Sequence, residues 1–336
     1  MSGDANILLG HGSGGILMHE LIKNILLKKL GNPILAQLSD SALLGYQEKL
    51  AFSTDSFVVA PLFFPGADIG KLSVCGTVND LVVAGASPEY LSLSFIAEEG
   101  LPKETLRKVV DSIALEAKKS GVKIVTGDFK VVERGAVDQL FINTSGVGRI
   151  IEGVNLSYRN IKPHDKIIIT GDIGEHGLAV LTKRKELDLG FKIKSDCASL
   201  NKMLIPLLRG IKGIKFMRDP TRGGLATTLN EVAVSTGLGI KIYESSIPVS
   251  GKVRSACELL GIDPLYVANE GKAVIIVDKS SSRCLLAGLK KHTLGRNARE
   301  IGEVTNMLKG RVIMTTSLGT ERIIDMLAGE SIPRIC

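Results

Sequence analysis

The chain has 336 residues, 44% of them hydrophobic and 4% aromatic, with no tryptophan and a formal charge of +7. That length suits two ordinary domains, and cores so poor in aromatics must be built from Ile, Val, Leu and Ala, as in α/β and α+β layers. Lysines and arginines alternate with acids, as in KRKELDLGFKIKSD from Lys183 to Asp196; without a basic run or an aromatic stacking surface the composition argues against nucleic-acid binding, and its modest positive field favours small anions.

The five cysteines, Cys75, Cys197, Cys257, Cys284 and Cys336, are widely separated and form no CxxC pair, so neither a disulfide framework nor a zinc site fits. The first residues, MSGDANILLGHGSGG, hold no basic segment followed by an apolar one. No apolar run approaches membrane-spanning length, and the expectation is a cytoplasmic protein. Cys336 is the last residue of GESIPRIC; a prenylation signal needs three more residues after its cysteine.

In chain order, GILMHELIKNILLKKLG predicts an amphipathic helix with Leu17, Leu21 and Ile25 on one face and Gly31 at its end. LAFSTDSFVVAP predicts a strand with Asp55 in its middle. KLSVCGTVNDLVVAGAS predicts a mostly apolar helix in which Asn79 and Asp80 are costly unless they face a site. LSLSFIAEEG predicts a strand, and PKETLRKVVDSIALEAKKSG a helix opened by Pro102 and closed by Gly121. VKIVTGDFK and QLFINTSGVGRI complete a first domain of about 150 residues as strands.

The second half opens with strand, glycine turn and helix in KIIITGDIGEHGLAVL. Helices over Leu200–Leu208 and Leu225–Thr236, the strand IKIYE, a helix over Lys252–Leu260 and the strand AVIIVD follow. IVTGD at Ile124–Asp128 and IITGD at Ile168–Asp172 suggest a repeat at comparable strand ends, or a common turn. A last helix is predicted over Thr320–Ala328, with Ile323, Ile324 and Leu327 as its stripe and Gly329 as its stop. Pro333 keeps the following seven residues out of a helix; extended, they span roughly 23 Å.

HGSGG, from His11 to Gly15, is a glycine loop before a helix, where backbone N–H groups can surround phosphate oxygens; the alternative is a plain turn. It is neither a Walker A loop nor a dinucleotide fingerprint. Asp40, Asp55, Asp80, Asp128 and Asp219 each lie in apolar or glycine-rich sequence. Singly each is a cap or turn candidate; together they favour a magnesium–phosphate site, because hard cations take oxygen ligands and bridge phosphates. In RDPTRGGL, Arg218 and Arg222 flank Asp219 and suit anion contacts. Lys130 falls on the same side of a strand as Asp128. His176 in GEHG and Glu270 in ANEGK occupy glycine-flanked turns, and His176 is given no role; His19, His164 and His292 read as surface residues.

Taken together, HGSGG, STDSFVVAPLFFPGADIGKLSVCGTVNDL, GASPEYLSLSFIAEEG, RDPTRGGLATTLNEVA, ANEGK and the terminal PRIC resemble the HypE family of hydrogenase maturation proteins. That family lies within the aminoimidazole ribonucleotide synthetase and selenophosphate synthetase superfamily, and the resemblance covers essentially the whole chain. It implies an α/β (α+β) fold of two domains, each a mixed sheet packed with helices: residues 1–150 for ATP binding and dimerisation, 151–328 as a second domain, and 329–336 as a flexible tail carrying Cys336. It implies a homodimer, ATP and Mg2+, a carbamoyltransferase partner (HypF) that loads Cys336, and a HypC–HypD scaffold that accepts cyanide. The implied reaction is ATP-dependent dehydration of S-carbamoyl Cys336 to thiocyanate.

Carried over by position, Asp40, Asp55, Asp80 and Asp219 would hold magnesium and phosphates, and Gly12, Ser13, Gly14 and Gly15 form the phosphate loop. Asn79 and Asp128 would line the site, with Glu270 helping to organise it. Lys130 and Asp80 would lie nearest the carbamoyl group, as phosphate clamp and proton acceptor. One departure is Phe129 in GDFK, where the family has threonine; on a strand it points away from Asp128 and Lys130. The competing class is an ATP-dependent phosphotransferase of the selenophosphate synthetase or thiamine-monophosphate kinase type. The N-terminal loop lacks the reactive cysteine of the first, and the second has no use for Cys336. A scaffold that only presents the cysteine would not need the aspartates.

Overall fold

The computed structural model describes residues 15–21, 23, 42–45 and 49–329. The expected site residues Gly12, Ser13, Gly14, Asp40 and Cys336 lie outside them, as does most of the helix expected over residues 15–31. The first of two large sheets has the order β1-β2-β7-β5-β6. Its strands are β1 (Ala42–Gly45), β2 (Lys49–Phe57), β5 (Ala86–Glu98), β6 (Lys123–Val132) and β7 (Leu140–Ile150). Between β2 and β5 come a short hairpin, β3 (Phe63–Phe64) and β4 (Ala67–Asp68), and then the helix α2 (Ile69–Val83). The parallel pair β5–β6 is bridged by α3 (Lys103–Ser120).

Local chemistry sets these elements. The Asp68 carboxylate accepts the N–H groups of Gly70 and Lys71, at 2.8 and 3.0 Å, and so caps α2. That helix is apolar on nearly every side and is buried accordingly. Pro102 precedes α3, and Gly121 closes it in the left-handed region, with φ 76°. Along β2, Ala51, Ser53 and Phe57 face the helices while Phe52, Thr54 and Ser56 face out.

The second sheet has the order β14-β13-β10-β12-β8-β11-β9. In chain order its strands are β8 (Lys166–Ile169), β9 (Ile214–Arg218), β10 (Gly239–Tyr243), β11 (Val274–Val277), β12 (Arg299–Thr305), β13 (Val312–Thr315) and β14 (Glu321–Ile324). Its helices are α4 (Glu175–Arg184), α5 (Asn201–Gly210), α6 (Gly224–Thr236), α7 (Gly251–Leu260) and α8 (Ser282–Lys290). Helix α2 of the first half packs on α5 of the second, and one apolar core continues from Phe57, Leu72 and Val78 into Leu200, Leu204 and Ile275.

Two expectations are corrected. Residues 321–324 form β14, antiparallel to β13, instead of a helix over Thr320–Ala328. The turn closed by Thr316 N–H to Thr320 O at 2.7 Å folds the segment back; its first three residues are exposed, Ile323 at 55%, and Ile324 is buried at 1%. Two adjacent isoleucines suit a period of two as well as a helical stripe, and pairing decides between them. The IVTGD and IITGD segments are not equivalent: Gly127 and Asp128 lie inside β6, whereas Gly171 and Asp172 follow the end of β8.

After β14 the chain returns to the start of α1 (Ile16–Leu21), where Ile16 N–H donates to Leu327 O at 2.9 Å. A Cβ on Gly15 would lie 2.1 Å from that same oxygen. Gly15 and Ile16 therefore meet Leu327.

Candidate active site

Pairing register places the described site residues on two faces of the first sheet. Asp55 pairs with Thr144 in the inward row that faces α2. Gly76 of α2 lets the helix approach there: a Cβ would lie 2.9 Å from the Phe57 ring and 3.7 Å from Asp55 Oδ2. One turn further along α2, Asp80 Oδ2 accepts the Ser53 hydroxyl at 2.6 Å. Asp55 and Asp80 are thus both turned inward from β2 and α2.

Asp128 belongs to the other face. The row Ser56, Asn143, Ser94, Asp128 crosses four strands on the outward side. Lys130 lies on that side as well, with Nζ 3.0 Å from Asp128 Oδ1, as their spacing predicts. Hydrogen bonds from Lys130 and the Phe129 N–H hold the Asp128 carboxyl below its usual range. Phe129 lies on the opposite side of the strand, beside Phe95 with ring centroids 5.8 Å apart and still 46% exposed, and leaves the Asp128–Lys130 pair undisturbed.

The second half adds acids to the inward group. Asp219, 5% exposed, directly follows β9, and Glu270, 3% exposed, lies in the loop before β11. Burial, and then repulsion from Asp219, Asp55 and Asp196, push the Glu270 carboxyl well above the usual glutamate range. Burial likewise raises Asp55, against the opposing charge of Arg222. Asp55 and Asp219 thus lie within electrostatic reach of Glu270 in one acidic region between the two halves, with Arg222 acting on Asp55, while no three acids among the described residues stand close enough together to hold a metal ion as they are. Arg218 is turned elsewhere: it pairs with Glu231 at 3.0 Å and with the Tyr158 hydroxyl at 2.9 Å.

Asn79 does not need a ligand to justify its burial. Its Nδ2 donates to Ala198 O at 3.0 Å and Glu270 O at 3.2 Å, and its Oδ1 accepts Leu200 N–H at 2.8 Å. The amide is a bracket between the two halves, set behind Glu270.

Sequence reasoning passed over three residues here. Asn269 binds Pro220 O through both its N–H and its Nδ2, at 3.1 and 3.0 Å, and accepts Gly174 N–H at 2.7 Å. Lys272, in the same ANEGK motif, pairs with Asp196 at 3.2 Å. Asp196 accepts the N–H groups of Glu270 and Gly271. Its one signal was an acid in a polar stretch, KSDCAS, which reads as a loop. His176 is inside the first turn of α4 and fully buried, bonded through Nδ1 to Ser195 Oγ at 2.8 Å and set edge-on to Phe64. His19, expected at the surface, is half-buried and lies 2.9 Å from Glu231, which ties α1 to α6.

Comparison with known proteins fits this architecture. Residues 38–150 match the family model for the N-terminal domain of AIR synthase related proteins, and residues 162–315 match that for the C-terminal domain. A carbamoyl dehydratase HypE of Escherichia coli (strain K12) is 47% identical over 337 residues, covering 98% of this chain and 99% of the relative. The chain belongs to the HypE family. Among solved HypE structures, a chain from a HypE–HypF complex is 48% identical with a TM-score of 0.88, covering 91% of this chain and 99% of that one. A HypE solved in complex with ATP is 46% identical with a TM-score of 0.84, covering 98% of this chain and all of that one. No helix among the described residues is long and apolar enough to cross a membrane.

Proposed function

We propose that this chain dehydrates an S-carbamoyl group on its own Cys336 to a thiocyanate at the expense of ATP, and so supplies the cyanide ligands of the [NiFe]-hydrogenase iron. The observation that carries the proposal is the contact of the chain's two end segments, Gly15 and Ile16 against Leu327, which brings the C-terminal segment to the last glycine of the loop; the acidic region around Glu270 supports it. Relatives named carbamoyl dehydratase and a HypE bound to ATP support it. A small-molecule kinase would have no use for the tail.

The chemistry explains the residue types. A carboxamide oxygen leaves poorly, so it first takes the γ-phosphoryl group of ATP; breaking of the C–O bond with loss of the N–H protons then gives nitrile, ADP and phosphate. Gly12, Ser13, Gly14 and Gly15 would bind phosphates through backbone N–H groups. Asp40, Asp55, Asp80 and Asp219 offer the oxygen ligands magnesium takes, and the mutual repulsion around Glu270 is what a divalent cation would offset. Magnesium, when bound, would neutralise charge developing on the phosphates. Asp80 Oδ2 already has a partner in Ser53, so of the two acids Glu270 is better suited to exchange protons, because its environment favours the protonated form.

Asp128 and Lys130, on the outward face, join this chemistry as phosphate clamp only if a second copy covers that face. Phe52, Val147 and Tyr90 form an outward row across β2, β7 and β5, with Phe52 39% and Tyr90 44% exposed. An apolar row of this kind, beside the edge strand β6, supports the homodimer. HypF as carbamoyl donor, HypC–HypD as cyanide acceptor and a cytoplasmic setting complete the proposal.

Heavy oxygen placed in the carbamoyl carbonyl tests the route. It should appear in inorganic phosphate as thiocyanate forms; its release into water would rule out phosphorylation of the carbamoyl oxygen.

A further inference from the structure

The backbone on both sides of Glu270 is held from two directions. Its N–H donates to Asp196 Oδ1 at 3.2 Å, and its carbonyl accepts from Asn79 Nδ2 at 3.2 Å and from the Ala198 N–H at 3.5 Å. Asp196 Oδ2 also accepts Gly271 N–H at 3.3 Å and lies 3.2 Å from Lys272 Nζ. One carboxylate therefore grips three consecutive residues, 270 to 272. Packing is tight enough that a Cβ on Gly271 would lie 2.0 Å from the Asp196 carbonyl oxygen.

The Asp196 side chain is 1% exposed and that of Lys272 8%. A carboxylate so deeply enclosed cannot touch ATP or the carbamoyl group. A buried charge of this kind is tolerated when a counter-ion and hydrogen-bond donors surround it, and here a cation and two N–H groups do so. What the arrangement fixes is the backbone from which the Glu270 side chain leaves, and so the direction that side chain can take. A reacting group displaced by about 1 Å costs on the order of a hundredfold in rate.

We propose that Asp196 is a positioning residue for Glu270, clamping residues 270–272 so that the Glu270 carboxyl is presented to the acidic region between the halves. The inference rests on the assignment of Glu270 to the site. The two fail differently under one double-mutant cycle, run on the full chain carbamoylated at Cys336 with ATP and magnesium.

Asp196→Asn keeps the shape of the side chain but replaces an acceptor with an amide donor facing an N–H group and an ammonium. Its kcat should fall about 10- to 100-fold, with KM for ATP changed less than about threefold. Asp196→Asn/Glu270→Gln should be no slower than Glu270→Gln alone, because both changes act through one group. Full activity in Asp196→Asn, a loss residing in KM, or losses that multiply in the double variant would overturn the positioning role and leave Glu270 in the site. Full activity in Glu270→Gln would overturn both. If Asp196→Asn does not fold, Asp196→Glu, which keeps the charge but shifts its oxygens by one methylene, should show the same kcat-only loss and the same non-additivity.

Discussion

Glu270 carries a stability signature beside its proposed chemical role. Its carboxyl titrates well above 4.5 in the folded chain because of burial and then its acidic neighbours. Between the unfolded and folded values the folded chain binds more protons than the unfolded one, so this group's contribution to stability is complete below pH 4.5 and is lost as pH rises through the folded value. Glu270→Gln should therefore be more stable than the natural chain at neutral and alkaline pH when no nucleotide or metal is present, and the gain should shrink toward pH 4.5. Denaturant unfolding across the pH range checks this; equal stabilities at every pH would mean that the carboxyl is not perturbed. Asn79 gives a second prediction at this scale. Asn79→Ala leaves the buried Leu200 N–H and the part-buried Ala198 carbonyl without this partner and takes one of two donors from the Glu270 carbonyl, at a cost of about 3 kcal/mol. An unfolding free energy within 0.5 kcal/mol of the natural chain's, roughly what a surface change costs, would contradict the bracket.

Among the elements, β14 is where local pattern misled. Both adjacent isoleucines fit a helical stripe, but pairing to β13 buries Ile324 and leaves Ile323 55% exposed. Ile324→Ala should cost about 2–4 kcal/mol and Ile323→Ala less than about 1. Equal costs would point back to a helix. The elements that were legible had their own punctuation: Pro102 and Gly121 bound α3, and β2 alternates. Asp128 and Lys130 could be paired from spacing alone, because residues two apart on a strand share a side. Which side of the sheet they share depends on pairing between distant strands, which one sequence does not display. The same reason hid Asp196, whose partners lie more than 70 positions away.

At the scale of the whole molecule, the division of site residues between two sheet faces is the feature that asks for a second copy. Tyr90→Lys, in the outward apolar row, should shift the chain from dimer to monomer in sedimentation velocity and should abolish dehydration at the same time. A monomer that dehydrates normally would remove Asp128 and Lys130 from the chemistry. The two-sheet plan and the family were within reach of the sequence because its motifs are contiguous. The bracket between the halves and the meeting of Gly15 with Leu327 were not, since both join segments far apart in the chain.

The central claim is that Cys336 is itself the site of reaction. The most direct test is a mass spectrum of the C-terminal peptide, taken after the chain carbamoylated at Cys336 has been incubated with ATP and magnesium. The peptide should lose the mass of one water, and Cys336→Ala should show no such loss. ATP turnover with the carbamoyl peptide unchanged, or the same loss persisting in Cys336→Ala, would contradict the account.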